Sequence, residues 1–123
     1  MIFDTDVLIW TLRGNERAAV AIEQDANRAV SIVSCMELLH GARDKRDMAI
    51  IRRFLLDFDA IPLSEELGYR ARLYIEQFAL MVDLTPVDAL IAATAVERQQ
   101  PLCTGNAKHY RPISELQVKT FRP

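Results

Sequence analysis

Asp4, Glu37 and Asp88 are the residues of this chain best suited to do chemistry. Each reads as lying just after the start of a helix, and the first two follow directly on apolar stretches with the look of strands. In an open parallel sheet the strand-to-helix turns lie at the carboxyl edge, where such folds bind ligands, so the three acids are expected to converge there. Carboxylates brought together without Lys or Arg in their own segments repel one another, a cost that hard divalent cations with oxygen ligands remove. The chemistry would then be that of a metal-activated water. Helix capping is the competing reading. Ser34-Cys35-Met36-Glu37 fits a capping box and Thr85-Pro86-Val87-Asp88 nearly does, so both acids could serve helix N-termini alone. Metal binding accounts for the acids together, whereas capping accounts for each separately.

Strands and helices must place these side chains. Met1-Ile2-Phe3 is a short apolar entry that runs through Asp4-Thr5-Asp6 into Val7-Leu8-Ile9-Trp10, a strand followed at once by a helix that Gly14-Asn15 stops. A helix over about 15–25 leads to a β-branched second strand, 29–33, and the next helix is expected to open at Ser34 and break near Gly41. Ile50, Ile51, Phe54, Leu55 and Phe58 then form an amphipathic stripe. Residues 59–63 read as a third strand whose Pro62 marks an end or an edge, and Ser64 caps a long helix with Leu67, Ala71, Tyr74, Phe78 and Met81 on one face. Thr85-Pro86 supplies a cap and a first-turn proline for a helix that turns Leu90, Ile91, Thr94 and Ala95 inward and ends by Pro101. Leu102-Cys103-Thr104 and the tail from Ile113 to Phe121 offer the last strands, with Gly105-Asn106 as a turn. The alternation predicts an α/β fold: a single domain over residues 1–123 with a mostly parallel central sheet of four to five strands, flanked by helices on both sides.

Composition limits the alternatives. At 123 residues there is enough chain for one core and not two, and 50% apolar residues with 26% charged is the balance of a folded globular domain. Fifteen basic residues against seventeen acidic ones give a net charge of −2, with none of the basic excess typical of nucleic-acid binders. Bound cations would reverse the field locally, where a phosphate would sit. Arg43-Asp44-Lys45-Arg46-Asp47, with Arg52 and Arg53, is either a solvated connection or a phosphate-facing patch. Cys35 and Cys103 lie in apolar runs without metal-ligand spacing and are expected as buried thiols of a reducing cytosol. Asp4 and Asp6 stand where a signal peptide would be basic and then apolar, and no uncharged run approaches the roughly 18 residues of a membrane helix, so a soluble, cytoplasmic protein with no membrane partner is expected. His40 and His109 are the only histidines and lack the pairing of a helical zinc site. His109 is expected near the site.

Four segments, taken in order, resemble the PIN-domain nucleases, most closely the VapC-type toxins of bacterial toxin–antitoxin pairs. They are Ile2-Phe3-Asp4-Thr5-Asp6-Val7-Leu8-Ile9, Ser34-Cys35-Met36-Glu37-Leu38-Leu39-His40-Gly41, Asp88-Ala89-Leu90-Ile91-Ala92-Ala93-Thr94-Ala95 and Leu102-Cys103-Thr104-Gly105-Asn106-Ala107-Lys108-His109-Tyr110. The resemblance implies that Asp4, Glu37 and Asp88 hold Mg²⁺ or Mn²⁺, with Asn106 at a fourth catalytic position and Thr104 and Ser34 as supporting hydroxyls. Members of the family often carry Asp where this chain has Asn106, and Asn where it has Asp6. The activity implied is endoribonucleolytic: a metal-activated water, oriented or deprotonated by Asp88 or Glu37, attacks an RNA phosphodiester and leaves 5′-phosphate and 3′-hydroxyl ends. The implied partners are RNA as substrate, a cognate antitoxin whose segment lies across the acidic groove, and a second copy of the chain in a homodimer.

Two other readings compete. Asp4-Thr5-Asp6 also resembles the opening motif of haloacid-dehalogenase-type phosphatases, in which Asp4 would be a nucleophile, but Leu8 stands where that family expects Thr or Val and the later acidic pair with its Lys is missing. A catalytically idle module that binds RNA or protein is the third reading, against which the intact acid set argues.

Overall fold

Five short strands, most of them buried on both faces, set the frame. In the computed structural model, which describes residues 1–123, β1 (Ile2–Phe3), β2 (Ala29–Ser31), β3 (Asp59–Ile61), β4 (Leu102–Thr104) and β5 (Val118–Thr120) form one sheet. Their order is β3-β2-β1-β4-β5 and every neighbouring pair is parallel. The strand sequence reverses direction between β1 and β4, so a crevice opens at the carboxyl ends of those two strands. Seven helices connect the strands: α1 (Thr5–Leu12), α2 (Glu16–Glu23), α3 (Ile32–His40), α4 (Lys45–Leu55), α5 (Glu65–Phe78), α6 (Pro86–Glu97) and α7 (Ala107–Tyr110).

Successive side chains along a strand point to opposite faces, and the core divides accordingly. Ile2, Ala29, Ile61 and Leu102 pack with Leu67, Ala71 and Tyr74 of α5 and with Ala89, Ile91 and Ala92 of α6. Phe3, Val30 and Cys103 pack on the other face with Val7 and Leu8 of α1, Ala18 and Ile22 of α2, Cys35 and Leu38 of α3 and Ile51 of α4. The sheet is therefore covered on both sides, as the near-continuous apolar strands require. Both cysteines are buried and free. No helix is long and apolar enough to cross a membrane.

Local signals hold at most element ends. Asn15 caps α2, Ser64 caps α5, and Thr85 with Pro86 opens α6. Pro62 follows directly on β3, which is an edge strand as its proline suggests. Three expectations are corrected. β2 stops at Ser31 rather than 33, and α3 starts at Ile32 with Ser31, not Ser34, as its cap: the Ser31 hydroxyl accepts the Val33 amide at 3.1 Å. Met81 does not join the buried face of α5, because that helix ends at Phe78 and Met81 is exposed. The stripe is cut short, since α4 ends at Leu55: Ile51 on the helix and Phe58 in the turn after it are buried, with Phe58 edge-on to both Phe3 and Phe54, while Ile50 is left half exposed.

Candidate active site

At the crevice between β1 and β4 the chain leaves each strand into a helix, and polar side chains from both turns meet. Asp4 is not inside α1 but caps it: Oδ1 accepts the Thr5 amide at 2.8 Å. Its Oδ2 accepts the hydroxyl of Thr104, the last residue of β4, at 2.7 Å. The Tyr110 hydroxyl lies 3.0 Å from that same oxygen and 3.3 Å from Asp88 Oδ1, so one phenolic proton serves two carboxylates. Asp88 reaches this place from the first turn of α6, where the Thr85 amide donates to its Oδ2 at 3.3 Å and its own amide donates to the Thr85 hydroxyl at 3.2 Å. The capping box is complete, yet it uses only one of the two Asp88 oxygens.

Glu37 arrives from the middle of α3, not from its first turn, and so has no capping role. The Thr5 hydroxyl donates to its Oε1 at 2.6 Å and stands 2.9 Å from the buried Ser34 hydroxyl, which links α1 to α3 directly below the crevice. Asp6, one residue beyond Thr5, turns toward the far rim. Its Oδ2 accepts the Gly105 amide at 2.8 Å and lies 3.5 Å from the Asn106 side-chain nitrogen, while its Oδ1 is enclosed without any partner. The Asn106 amide donates to the Thr104 hydroxyl at 2.9 Å, and the Asn106 side chain is exposed. His109 Nδ1 is 3.9 Å from Asp88 Oδ2, at the edge of ion-pair distance.

The electrostatics follow from burial without counter-charge. Asp4 is 4% exposed, and desolvation pushes its carboxyl up to about 6, against hydrogen bonds from Thr104, Thr5 and Tyr110 that pull it down. The negative charge of Asp6 raises it further. Asp6 is likewise raised, first by burial, with the charge of Asp88 adding to it. Burial also pushes the Tyr110 hydroxyl far above the ordinary phenol value, with the charges of Asp4 and Asp88 adding to it, so it stays protonated and acts as a donor. No Lys or Arg pairs with Asp4, Asp6, Glu37 or Asp88.

As they stand, no three acidic, His or Cys side chains form a ready coordination shell. The donor set nevertheless suits a hard cation: oxygen atoms only, an orphaned buried oxygen on Asp6, and a carboxyl on Asp4 whose ionised form lacks a positive partner. Of the residues singled out in the sequence, Asp4, Asp88 and Thr104 meet through direct contacts. Glu37 and Ser34 join them through Thr5, and Asp6 and Asn106 flank Thr104. Thr5 and Tyr110 stand in the quoted motifs without a role of their own. Thr5 is adjacent to Asp4 and could have been suspected; Tyr110, in a four-residue helix, carries no periodic signal.

Removing the phenolic oxygen alone should loosen the pair of carboxylates it joins. Tyr110→Phe is expected to weaken divalent-ion affinity or activity by roughly 10- to 100-fold, the range for residues that orient ligands through hydrogen bonds. Calorimetric titration with Mn²⁺ and cleavage assays on the folded variant check this, and wild-type behaviour in both would deny Tyr110 that role.

Comparison with known proteins identifies the family and the fold. Residues 1–112 match the PIN domain family model. The chain is similar to Ribonuclease VapC10 of Mycobacterium tuberculosis, 32% identical over 122 residues that cover 94% of this chain and 90% of the relative. Among solved structures it is similar to a toxin–antitoxin complex from Klebsiella pneumoniae, with a TM-score of 0.83 and 29% identity over 97% of this chain and 95% of that one. A further likeness in fold is to VapBC2 from Rickettsia felis bound to a DNA fragment from its promoter, with a TM-score of 0.84 and 21% identity over 99% of this chain and 100% of that one.

Proposed function

We propose, because this chain belongs to the PIN-domain family and within it to the VapC type, that it is a metal-dependent endoribonuclease and the toxin of a toxin–antitoxin pair. The observation that carries the reading is the meeting of Asp4 and Asp88, remote in sequence, on one buried phenolic proton with no Lys or Arg paired to either. Family membership also displaces the phosphatase reading of Asp4-Thr5-Asp6. Residues 1–123 would act as one nuclease domain.

Asp4, Asp88 and Glu37 would hold Mg²⁺ or Mn²⁺, with Asn106 at the position where the family resemblance puts a fourth catalytic residue. When bound, such an ion supplies a water of lowered pKa and takes up charge on a phosphoryl oxygen. The chain's own groups do the rest. Thr104 and Tyr110 hold Asp4 in place, and Thr5, backed by Ser34, fixes one Glu37 oxygen and leaves the other free. Glu37 is exposed and Asp88 half-buried, so either stands where it can orient an attacking water or take its proton. Attack by water rather than by the 2′-hydroxyl predicts 5′-phosphate and 3′-hydroxyl ends.

The partner reading rests on the surface beside Glu37. A cavity of about 610 Å³ runs between α1, α3 and α4, floored by Ile9, Leu12, Leu38 and Ile50, with Arg13 and Arg43 along it and Glu37 within its lining. An amphipathic segment of an antitoxin, apolar residues down and an acidic group toward the arginines, would fill it and block the approach to Glu37. A homodimer of this cytoplasmic protein completes the reading.

Incubating the purified protein, free of partners, with total RNA should give discrete cuts in Mg²⁺ or Mn²⁺ and none after chelation, with the ends stated above. Cutting that persists in chelator removes the metal from the mechanism. RNA retained but left whole favours the idle binding module.

A further inference from the structure

Asp6 and Asn106 face each other across the mouth of the crevice, and their chemistry divides the work between them. Asp6 lies in the first turn of α1, where a carboxylate is favoured by the helix dipole alone. That explanation is incomplete, because Oδ2 is fastened to a different element, the turn after β4, by the Gly105 amide at 2.8 Å. The approach is close enough that a Cβ on residue 105 would come within 2.5 Å of Oδ2. Its other oxygen, Oδ1, is shut away from solvent and makes no hydrogen bond, the Asp6 and Val7 amides of the same turn being the only further donors that act on the carboxylate. A buried carboxylate oxygen without a donor costs free energy unless something positive meets it. The neighbours whose fields it feels, Asp4 and Asp88, are negative.

Asn106 is placed differently. Its side chain makes no capping bond for α7, and its amide nitrogen is the atom turned toward Asp6 Oδ2, at 3.5 Å. An amide oxygen in that position would face a carboxylate oxygen, so the nitrogen is the only chemically sensible choice. A nitrogen that donates to Asp6 offers no lone pair to a cation, which leaves Asn106 only its neutral amide oxygen, a weaker ligand than the Asp6 carboxylate.

From this geometry we infer that Asp6, through Oδ1, is a direct ligand of the divalent cation, and that Asn106 is a positioning residue that acts on the ion only by holding Asp6. The inference rests on the metal-dependent reading above and deepens it: the carboxylate that completes the acidic set comes from the first turn of α1, not from the turn after β4. Gly105 is the enabling residue, since only a missing side chain lets the backbone amide close on Asp6.

Calorimetric titration of the metal-free protein with Mn²⁺ tests this without reference to cleavage. Asp6→Asn should weaken binding by more than about a hundredfold and Asn106→Ala by about tenfold, the low end of the range for residues that orient ligands through hydrogen bonds, because its contact with Asp6 is long at 3.5 Å. The double variant Asp6→Asn with Asn106→Asp restores the charge from the opposite side and should recover part of the loss. Gly105→Ala keeps every charge but displaces Asp6, and should weaken binding about tenfold; it decides the matter should Asp6→Asn fail to fold. Wild-type affinity in both Asp6→Asn and Gly105→Ala overturns the inference, as does a loss in Asn106→Ala equal to that in Asp6→Asn. Asp4→Asn separates the two levels. Loss of binding there, with none in the Asp6 and Gly105 variants, leaves the metal-dependent nuclease standing and removes Asp6 as a ligand. Absence of Mn²⁺ binding by the wild type removes both.

Discussion

Asp88→Asn is expected to lower RNA cleavage by about a thousandfold or more, the scale on which enzymes lose rate when a charged group at the reacting centre is removed. The melting temperature should change little. Asp88 has two oxygens with separate duties: Oδ2 closes the capping box with Thr85, and Oδ1 faces the Tyr110 hydroxyl. An asparagine keeps an amide oxygen for the Thr85 amide and therefore keeps the cap, worth about 1 kcal/mol. It gives up the negative charge beside Asp4, which the folded protein has no Lys or Arg to balance. Asp57, exposed and just ahead of β3 at the opposite edge of the sheet, is the control, and Asp57→Asn should cleave at the wild-type rate. Folded Asp88→Asn protein with full activity would take Asp88 out of the mechanism.

The same double duty explains why the sequence left the acids ambiguous. Thr85-Pro86-Val87-Asp88 reads equally well as a cap or as a site, and in the folded chain it is both. Glu37 was ambiguous for a different reason. Ile32 and Val33 are β-branched, which favours a strand, but β2 pairs in register only as far as Ser31, and the chain turns into α3 without a loop. Moving the cap from Ser34 back to Ser31 places Glu37 in the helix middle and frees Ser34 to lie buried beside Thr5. A three-residue change in where a helix begins thus removes a capping explanation and supplies a hydrogen-bonded link between α1 and α3.

All five strands were legible: β1, β2 and β4 are short buried runs, and the edge strands β3 and β5, though they carry Asp59 and Lys119, lie in stretches bounded by helix-opening or turn residues. Their parallel arrangement followed from the alternation with helices. Strand order was not legible, and it is what makes the site: only with β1 beside β4 does Thr104 come within reach of Asp4, a hundred positions away. Tyr110 escaped notice for the same reason. Nothing local marks an aromatic in a single turn of helix as a hydrogen-bond donor to residues that meet it only in the folded chain. The partnerless oxygen of Asp6 is likewise a property of the closed crevice, not of Asp4-Thr5-Asp6 as a string.

In the metal-free protein, Asp4→Asn should gain stability relative to the wild type as pH rises from about 4 to about 7. The sign follows from linkage. The Asp4 carboxyl titrates near 3.8 when the chain is unfolded and is pushed up to about 6 by burial in the fold. A raised folded value means that the folded state holds the proton more tightly. The resulting stability is fully present below 3.8 and is lost as pH rises through about 6. A shift of about two pH units corresponds to roughly 3 kcal/mol, at about 1.4 kcal/mol per unit. Asparagine carries no titrating proton, so the stability of Asp4→Asn minus that of the wild type should grow by up to about 3 kcal/mol between pH 4 and pH 7. Denaturant unfolding in chelator at several pH values reads this difference, and taking it between two variants cancels the acids remote from Asp4, among them Asp25, whose carboxyl is lowered by the N-terminal amine. Saturating Mn²⁺ at pH 7 should then shift the difference back toward the wild type, because a cation that binds only the folded, ionised site stabilises the wild type and finds no charged ligand at residue 4 in the variant. A difference that stays flat from pH 4 to pH 7 would mean that Asp4 bears no uncompensated charge. The reason for expecting a cation at this crevice would go with it.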